Sequence, residues 1–279
     1  MSNSKLVNYT KLSPNHSGKR THSIDRITPH CVVGQCSVET LGNIFMNTAC
    51  EASCNYGIGY DGRVLLCVDE GNRSWCSSSN ANDQRAVTIE CASDTVAPYT
   101  MNSKVYNKLV DLCVDICKRN GKTKLLWFGN EDKTLNYSPK SGEMVLTVHR
   151  WFANKSCPGD WLYNRLGNLA SEVTAQLSGK TTDKETEEMI KYGAHNTAIL
   201  AFKKQLITLY NMKIIKTKVD NSNGFGDGTL KAVKEAQRAG NITANGVVNE
   251  KTVNVIYHLI NDCNWAKDKK IANAKKALG

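Results

Sequence analysis

His149-Arg150-Trp151-Phe152-Ala153-Asn154-Lys155-Ser156-Cys157-Pro158 is the stretch on which the reading of this chain turns. Before it, Val145-Leu146-Thr147-Val148 is a short β-rich run. After it, Pro158 leads into Trp161, Leu162, Leu166 and Leu169 at helical spacing, with proline in the first turn, where its missing N–H costs nothing. The spacing predicts His149 at a strand end and Cys157 at a helix start, one short loop apart. A helix N-terminus lowers a thiol pKa, and a metal binds the thiolate. A second histidine, His30 at the end of Ile27-Thr28-Pro29-His30, would make a three-ligand set. Such a set leaves a fourth position for water, the pattern of a catalytic rather than a structural zinc.

Outward from this stretch, strands and helices interleave. Val38 to Met46 has helical spacing. Tyr56 to Val68 reads as a hairpin turning at Asp61-Gly62, and Ala86 to Cys91 alternates as a strand. Tyr106 to Arg119 is a helix closed by Asn120-Gly121, and Lys124 to Phe128 and Met144 to Val148 are further strands. This order predicts an α/β unit with a mixed central β-sheet flanked by helices. Ser178 to Glu188 has no apolar side chain and reads as a linker. Beyond it, Ile199, Phe202, Leu206 and Leu209 form one helical stripe. Asn223 to Gly228 makes the sharp loop between this helix and a second one that Thr229 is placed to cap; Asn249 is placed to cap a third, and a lysine-rich tail follows Cys263. The expected domains are therefore residues 1–177, a linker at 178–193, and a small all-α three-helix domain at 194–279.

The net charge is +10, of which +7 lies from Lys180 onward, with 17 Lys and Arg against 10 Asp and Glu. A basic balance suits an anionic polymer without choosing one. No apolar run is long enough to span a membrane, and the first 15 residues lack the apolar core of a secretory signal. The expectation is synthesis in the cytoplasm. Eleven cysteines in a chain of this length with no such signal read as reduced thiols; Cys113 and Cys117 lie on one helical stripe. Cys50-x-x-x-Cys54 and the pair Cys31 and Cys36 lack partner ligands at a matching spacing.

Arg26-Ile27-Thr28-Pro29-His30, Asn55-Tyr56-Gly57-Ile58-Gly59, Asp83-x-Arg85-Ala86-Val87-Thr88-Ile89-Glu90, and His149-Arg150-Trp151-Phe152 with Cys157-Pro158-Gly159 together resemble the zinc-dependent N-acetylmuramoyl-L-alanine amidases. The likeness to phage endolysins and clostridial autolysins covers roughly residues 1 to 175, and the fold it implies is shared with peptidoglycan recognition proteins. Gly224-Phe225-Gly226-Asp227-Gly228-Thr229, Ala232-Val233, Gln237 and Gly246-Val247-Val248-Asn249 resemble the three-helix peptidoglycan-binding domain of wall hydrolases.

The resemblance implies one zinc held by His30, His149 and Cys157, with Glu90 as acid and base. It implies assistance from Tyr56 and Lys155 at the oxyanion, and a substrate groove lined by Asn55, Asp83 and Arg85. Asp83 with Arg85 also reads as a structural pair. Many relatives carry histidine where this chain has Cys31; adjacent strand residues face opposite ways, which favours His30 alone. The implied reaction is hydrolysis of the amide between N-acetylmuramic acid and L-alanine. The implied partner is cell-wall peptidoglycan, with anionic wall polymers drawn to the basic C-terminal region, no nucleic acid and no membrane span. Action on the wall would follow release from the cytoplasm. Two rivals stand beside it: a non-catalytic peptidoglycan-binding protein, and a Cys/His peptidase acting on the stem peptide.

Overall fold

The computed structural model describes residues 2–178, 190–249, 251–257 and 259–260. The chain divides into two compact units, Met1–Gly179 and Lys180–Gly279. Residues 179–189 of the expected linker lie outside the described residues, as does the lysine-rich tail after Cys263.

The first unit is built on a seven-stranded sheet in the order β1-β5-β4-β7-β3-β9-β8. Its strands are β1 (Tyr9–Thr10), β3 (Arg26–Cys31), β4 (Tyr56–Ile58), β5 (Val64–Leu66), β7 (Ala86–Cys91), β8 (Lys124–Leu126) and β9 (Glu143–Leu146). β4 and β5 pair antiparallel, as the Asp61-Gly62 hairpin requires, and the other pairs are parallel. A small ribbon of β2 (His16–Lys19) and β6 (Asn72–Ser74) lies outside the sheet.

The alternation of side chains sorts the two faces. Ile27 and Cys31 of β3, with Val87, Ile89 and Cys91 of β7, join one buried cluster. There they pack on α3 (Ser103–Arg119) and α6 (Leu166–Leu177) through Leu109, Leu112, Ile116, Leu169 and Val173. On the other face α1 (Val38–Ile44) packs Val38 and Leu41 against Leu65 and Cys67. This second face turns polar at the centre of the sheet. Thr28 bonds Thr147 at 2.7 Å, Ser74 bonds Thr88 at 2.8 Å, and Asn82 donates to Thr28 at 3.0 Å. His30 and Glu90 sit in register on this polar face, at the C-terminal ends of β3 and β7.

One expected helix is two. α5 (Gly159–Tyr163) ends before α6 begins, so Trp161 and Leu162 are on a different helix from Leu166 and Leu169. Both helices still bury those residues in the same core. Short helices at Asn80–Asp83 (α2) and Glu131–Leu135 (α4) complete the unit.

In the second unit α7 (Thr197–Asn211) buries Ile199, Phe202, Leu206 and Leu209 as expected. α8 (Asp227–Ala239) starts earlier than the sequence suggests: Gly226 is the cap position, and Thr229 lies buried within the helix. Asn249 does cap a third helical stretch, accepting from Thr252 N at 3.0 Å. The loop between α7 and α8 is pinned by buried Lys203, whose Nζ donates to Ser222 Oγ at 3.2 Å and to the Gly224 carbonyl at 3.0 Å.

Candidate metal centre

Three separate segments meet at the polar end of the sheet. β3 delivers His30, which is fully buried. A 3-10 turn at His149–Trp151 follows β9 and presents His149. Cys157 is brought to it by backbone and side-chain ties: Arg150 N donates to the Cys157 carbonyl at 3.1 Å, and the Arg150 guanidinium to the Ser156 carbonyl at 2.6 Å and to Asp160 at 2.9 Å. Trp127 stacks on Trp151 at 5.2 Å behind this turn. Gly159 fixes the exit of the loop; its φ is +81°, and a Cβ there would lie 2.7 Å from the Pro98 carbonyl.

The ligand atoms of His30, His149 and Cys157 all lie within 4.8 Å of one another. His30 Nδ1 is 3.3 Å from Cys157 Sγ, and the two imidazoles meet edge to face with centroids 5.1 Å apart. Burial, then the neighbouring His149, drives the His30 pKa well below its ordinary value; burial, then Lys155, lowers that of His149. Both rings are therefore neutral near pH 7, with lone pairs free to ligate. Among the described residues, buried His30 Nε2 has no hydrogen-bond partner. Two neutral imidazoles and a thiol make a donor set that fits zinc.

The Cys157 thiol does not behave as a helix-start cysteine. α5 is a single turn that begins two residues later, and the thiol pKa is pushed well up by its hydrogen bond with Cys31, by burial and by Glu90. A metal bound here would have to drive its ionisation, with release of a proton. Cys31 itself lies in the helix-side core, as alternation requires, yet its side chain reaches Cys157 from there.

Glu90 stands beside the ligands, its Oε1 3.9 Å from His30 Nδ1. Burial raises its pKa to about 7. Among the described residues its side-chain hydrogen-bond donor is Cys76, at 3.8 Å, and Oε2 is buried with no partner among them. Lys155 is exposed, and its charge is felt at His149.

Four expected site residues lie elsewhere in role. Tyr56 is in register with Ile89, not Glu90, so its ring enters the opposite, helix-side core. There its hydroxyl donates to buried Glu70 at 2.7 Å and accepts from Ser4 N at 2.9 Å, which removes it from the oxyanion. Asn55 is fully buried; its amide donates to the Val68, Asp69 and Asn72 carbonyls, and its Oδ1 accepts from Thr88 N and Arg20. It ties strands together and lines no groove. Asp83 is buried and accepts from Cys76 N at 3.0 Å and Ser77 Oγ at 2.6 Å. Arg85 pairs with Asp25 at 2.9 Å instead of Asp83.

Two residues of the site carried no signal in the sequence. Ser78, at the tip of the segment that Asp83 holds, bonds His149 Nε2 at 2.9 Å. Cys76, from the same segment, bonds Glu90. Both sit in a run of cysteine and serine that reads as an ordinary loop.

The family model for N-acetylmuramoyl-L-alanine amidases matches residues 20–160, a span that contains His30, Glu90, His149 and Cys157. The chain belongs to that family. A peptidoglycan-binding domain model matches residues 195–256 of the amidase. The two matches agree on peptidoglycan as the partner.

Among solved structures, the amidase is similar to PlyL, with 15% identity and a TM-score of 0.43 over 59% of this chain and 95% of that one. It is also similar to the Staphylococcus aureus hydrolase AmiA (12%, TM-score 0.41, 62% and 85%) and to Drosophila peptidoglycan recognition protein SA (16%, 0.41, 56% and 89%). No curated protein matches the chain. Among the described residues, no helix is long and apolar enough to cross a membrane.

Proposed function

We propose that this amidase hydrolyses the bond between the lactyl group of N-acetylmuramic acid and L-alanine, using zinc held by His30, His149 and Cys157 with Glu90 as acid and base. The observation that carries this reading is the convergence of three ligand atoms within 4.8 Å beside a carboxylate of raised pKa. Zinc in that seat would polarise the scissile carbonyl and acidify a water at its open position. Glu90 takes the proton from the attacking water and returns one to the leaving amine of L-alanine. The Glu90 carboxylate lies beside the ligands, 3.9 Å from His30, where both transfers take place. Ser78 holds the His149 ring by its Nε2, leaving Nδ1 free to ligate. Lys155, an exposed cation whose charge is felt at His149, stabilises negative charge on the carbonyl oxygen. The unit spanning residues 195–256 raises the concentration of enzyme at the insoluble wall, and the +7 balance beyond Lys180 adds attraction to anionic wall polymers.

Elemental analysis tests the ligand set. The purified chain should carry one zinc per molecule, and His149→Ala and Cys157→Ser should each bind zinc more weakly and lose the release of L-alanine amino groups from purified wall. Undiminished zinc affinity in both variants would refute the assignment.

A further inference from the structure

Resting on that reading, we propose that the chain has a second, alternative seat for a thiophilic divalent cation, formed by His30, Cys76 and Glu90, whose occupation excludes the first. The ligand atoms of these three residues also all lie within 4.8 Å of one another. They arrive from β3, from the segment that Asp83 holds, and from β7. Cys76 Sγ is 3.8 Å and His30 Nδ1 3.9 Å from the same carboxylate oxygen, Glu90 Oε1. A tetrahedral zinc spaces nitrogen, oxygen and sulfur donors about 3.3–3.6 Å apart, given its bond lengths. The donors therefore stand somewhat farther apart than a bound zinc would hold them, and binding requires side-chain rotation onto the ion or a larger ion such as cadmium.

The exclusion follows from one atom. His30 Nδ1 lies 3.3 Å from Cys157 Sγ and 3.9 Å from Glu90 Oε1. That nitrogen has one lone pair and ligates one ion. An imidazole, a thiolate and a carboxylate favour zinc or cadmium over magnesium or calcium. The Cys76 thiol gives up its proton on binding. Cys76 has no ligand or proton-transfer role in the hydrolysis above. An ion in its seat would occupy the Glu90 carboxylate and withdraw His30 from the first seat, leaving a loaded but inactive enzyme.

Cobalt(II) is the probe, because its thiolate charge-transfer band reports sulfur ligation independently of turnover. The full chain carrying Cys157→Ser, kept reduced with a phosphine, should still bind one Co2+ with a thiolate band. Adding Cys76→Ser should abolish that band and weaken binding at least tenfold, and adding Glu90→Gln instead should also weaken it. The proposal is overturned if Cys157→Ser, folded by near-ultraviolet circular dichroism, shows no thiolate band, or if the band survives Cys76→Ser. Cys157→Ala is held to the same outcomes. Cys76→Ser alone should keep one Co2+ with the band from Cys157; loss of that band would count against the first seat instead.

Discussion

At the scale of single residues, Glu90 shows how far a sequence can be read. Its place on the polar face was legible from the alternation Val87-Thr88-Ile89-Glu90, and the register with His30 bears that out. Tyr56 was not legible in the same way: one position of register against β7 decides which face a side chain enters, and the sequence does not print the register. Ser78 and Cys76 were invisible because only the fold brings a Ser-rich loop to His149 and Glu90, which lie 71 and 14 positions away. Burial gives Glu90 a testable signature. Its folded pKa of about 7 exceeds the ordinary 4.5, so the fold binds this proton more tightly than the unfolded chain does. The cost of the buried charge is absent below pH 4.5, grows as pH rises toward 7, and is full above it. In metal-free protein, Glu90→Gln should therefore raise the melting temperature at pH 8, and the gain should vanish near pH 4.5. In the zinc-loaded enzyme the same substitution should lower the rate about 10²-fold or more, with zinc content retained. Calorimetry across pH checks the first outcome and a rate assay the second. A variant that melts no higher at pH 8 would show that the carboxylate is not strained by burial.

At the scale of elements, the segment Cys76–Ser78 is the part the sequence concealed and the site depends on. Buried Asp83 accepts from Cys76 N and from both the backbone and the hydroxyl of Ser77. The clamped segment then reaches Glu90 through Cys76 and His149 through Ser78. Asp83→Ala leaves those donors without an acceptor in a buried place. It should cost about 3 kcal/mol of stability by denaturant titration, since several hydrogen bonds to one charged group are lost. Zinc affinity should fall about 10- to 100-fold as His149 loses its restraint. Unchanged zinc affinity in a destabilised Asp83→Ala would reduce the clamp to a purely structural device. The strands and helices that build most of the sheet and its cover were legible, because period-2 and period-3.6 patterns are set by burial on one face; β1, β2, β6, α2 and α4, none longer than five residues, were not. The break between α5 and α6 was not, since both helices bury Trp161, Leu162, Leu166 and Leu169 in one core and so preserve the pattern of a single helix.

At the scale of the whole molecule, the chemistry lies in the first unit, and the peptidoglycan-binding match lies wholly in the second. A chain ending at Ser178 should fold, because the sheet and both of its helical faces are complete before that point. It should cut soluble muropeptides at close to the full rate but lyse intact walls more slowly, with a deficit that shrinks as salt screens the basic region. A deficit that ignores salt would assign the targeting to shape instead of charge. The central claim is that this chain cuts one bond with one bound metal, and mass spectrometry of purified peptidoglycan digested by the zinc-loaded and the chelated enzyme tests it most directly. The account predicts stem peptides with a free N-terminal L-alanine and glycan strands of intact sugar linkage, abolished by chelation and restored by zinc. Products that keep the lactyl–alanine amide, or undiminished release from a sample verified to be metal-free, would contradict it.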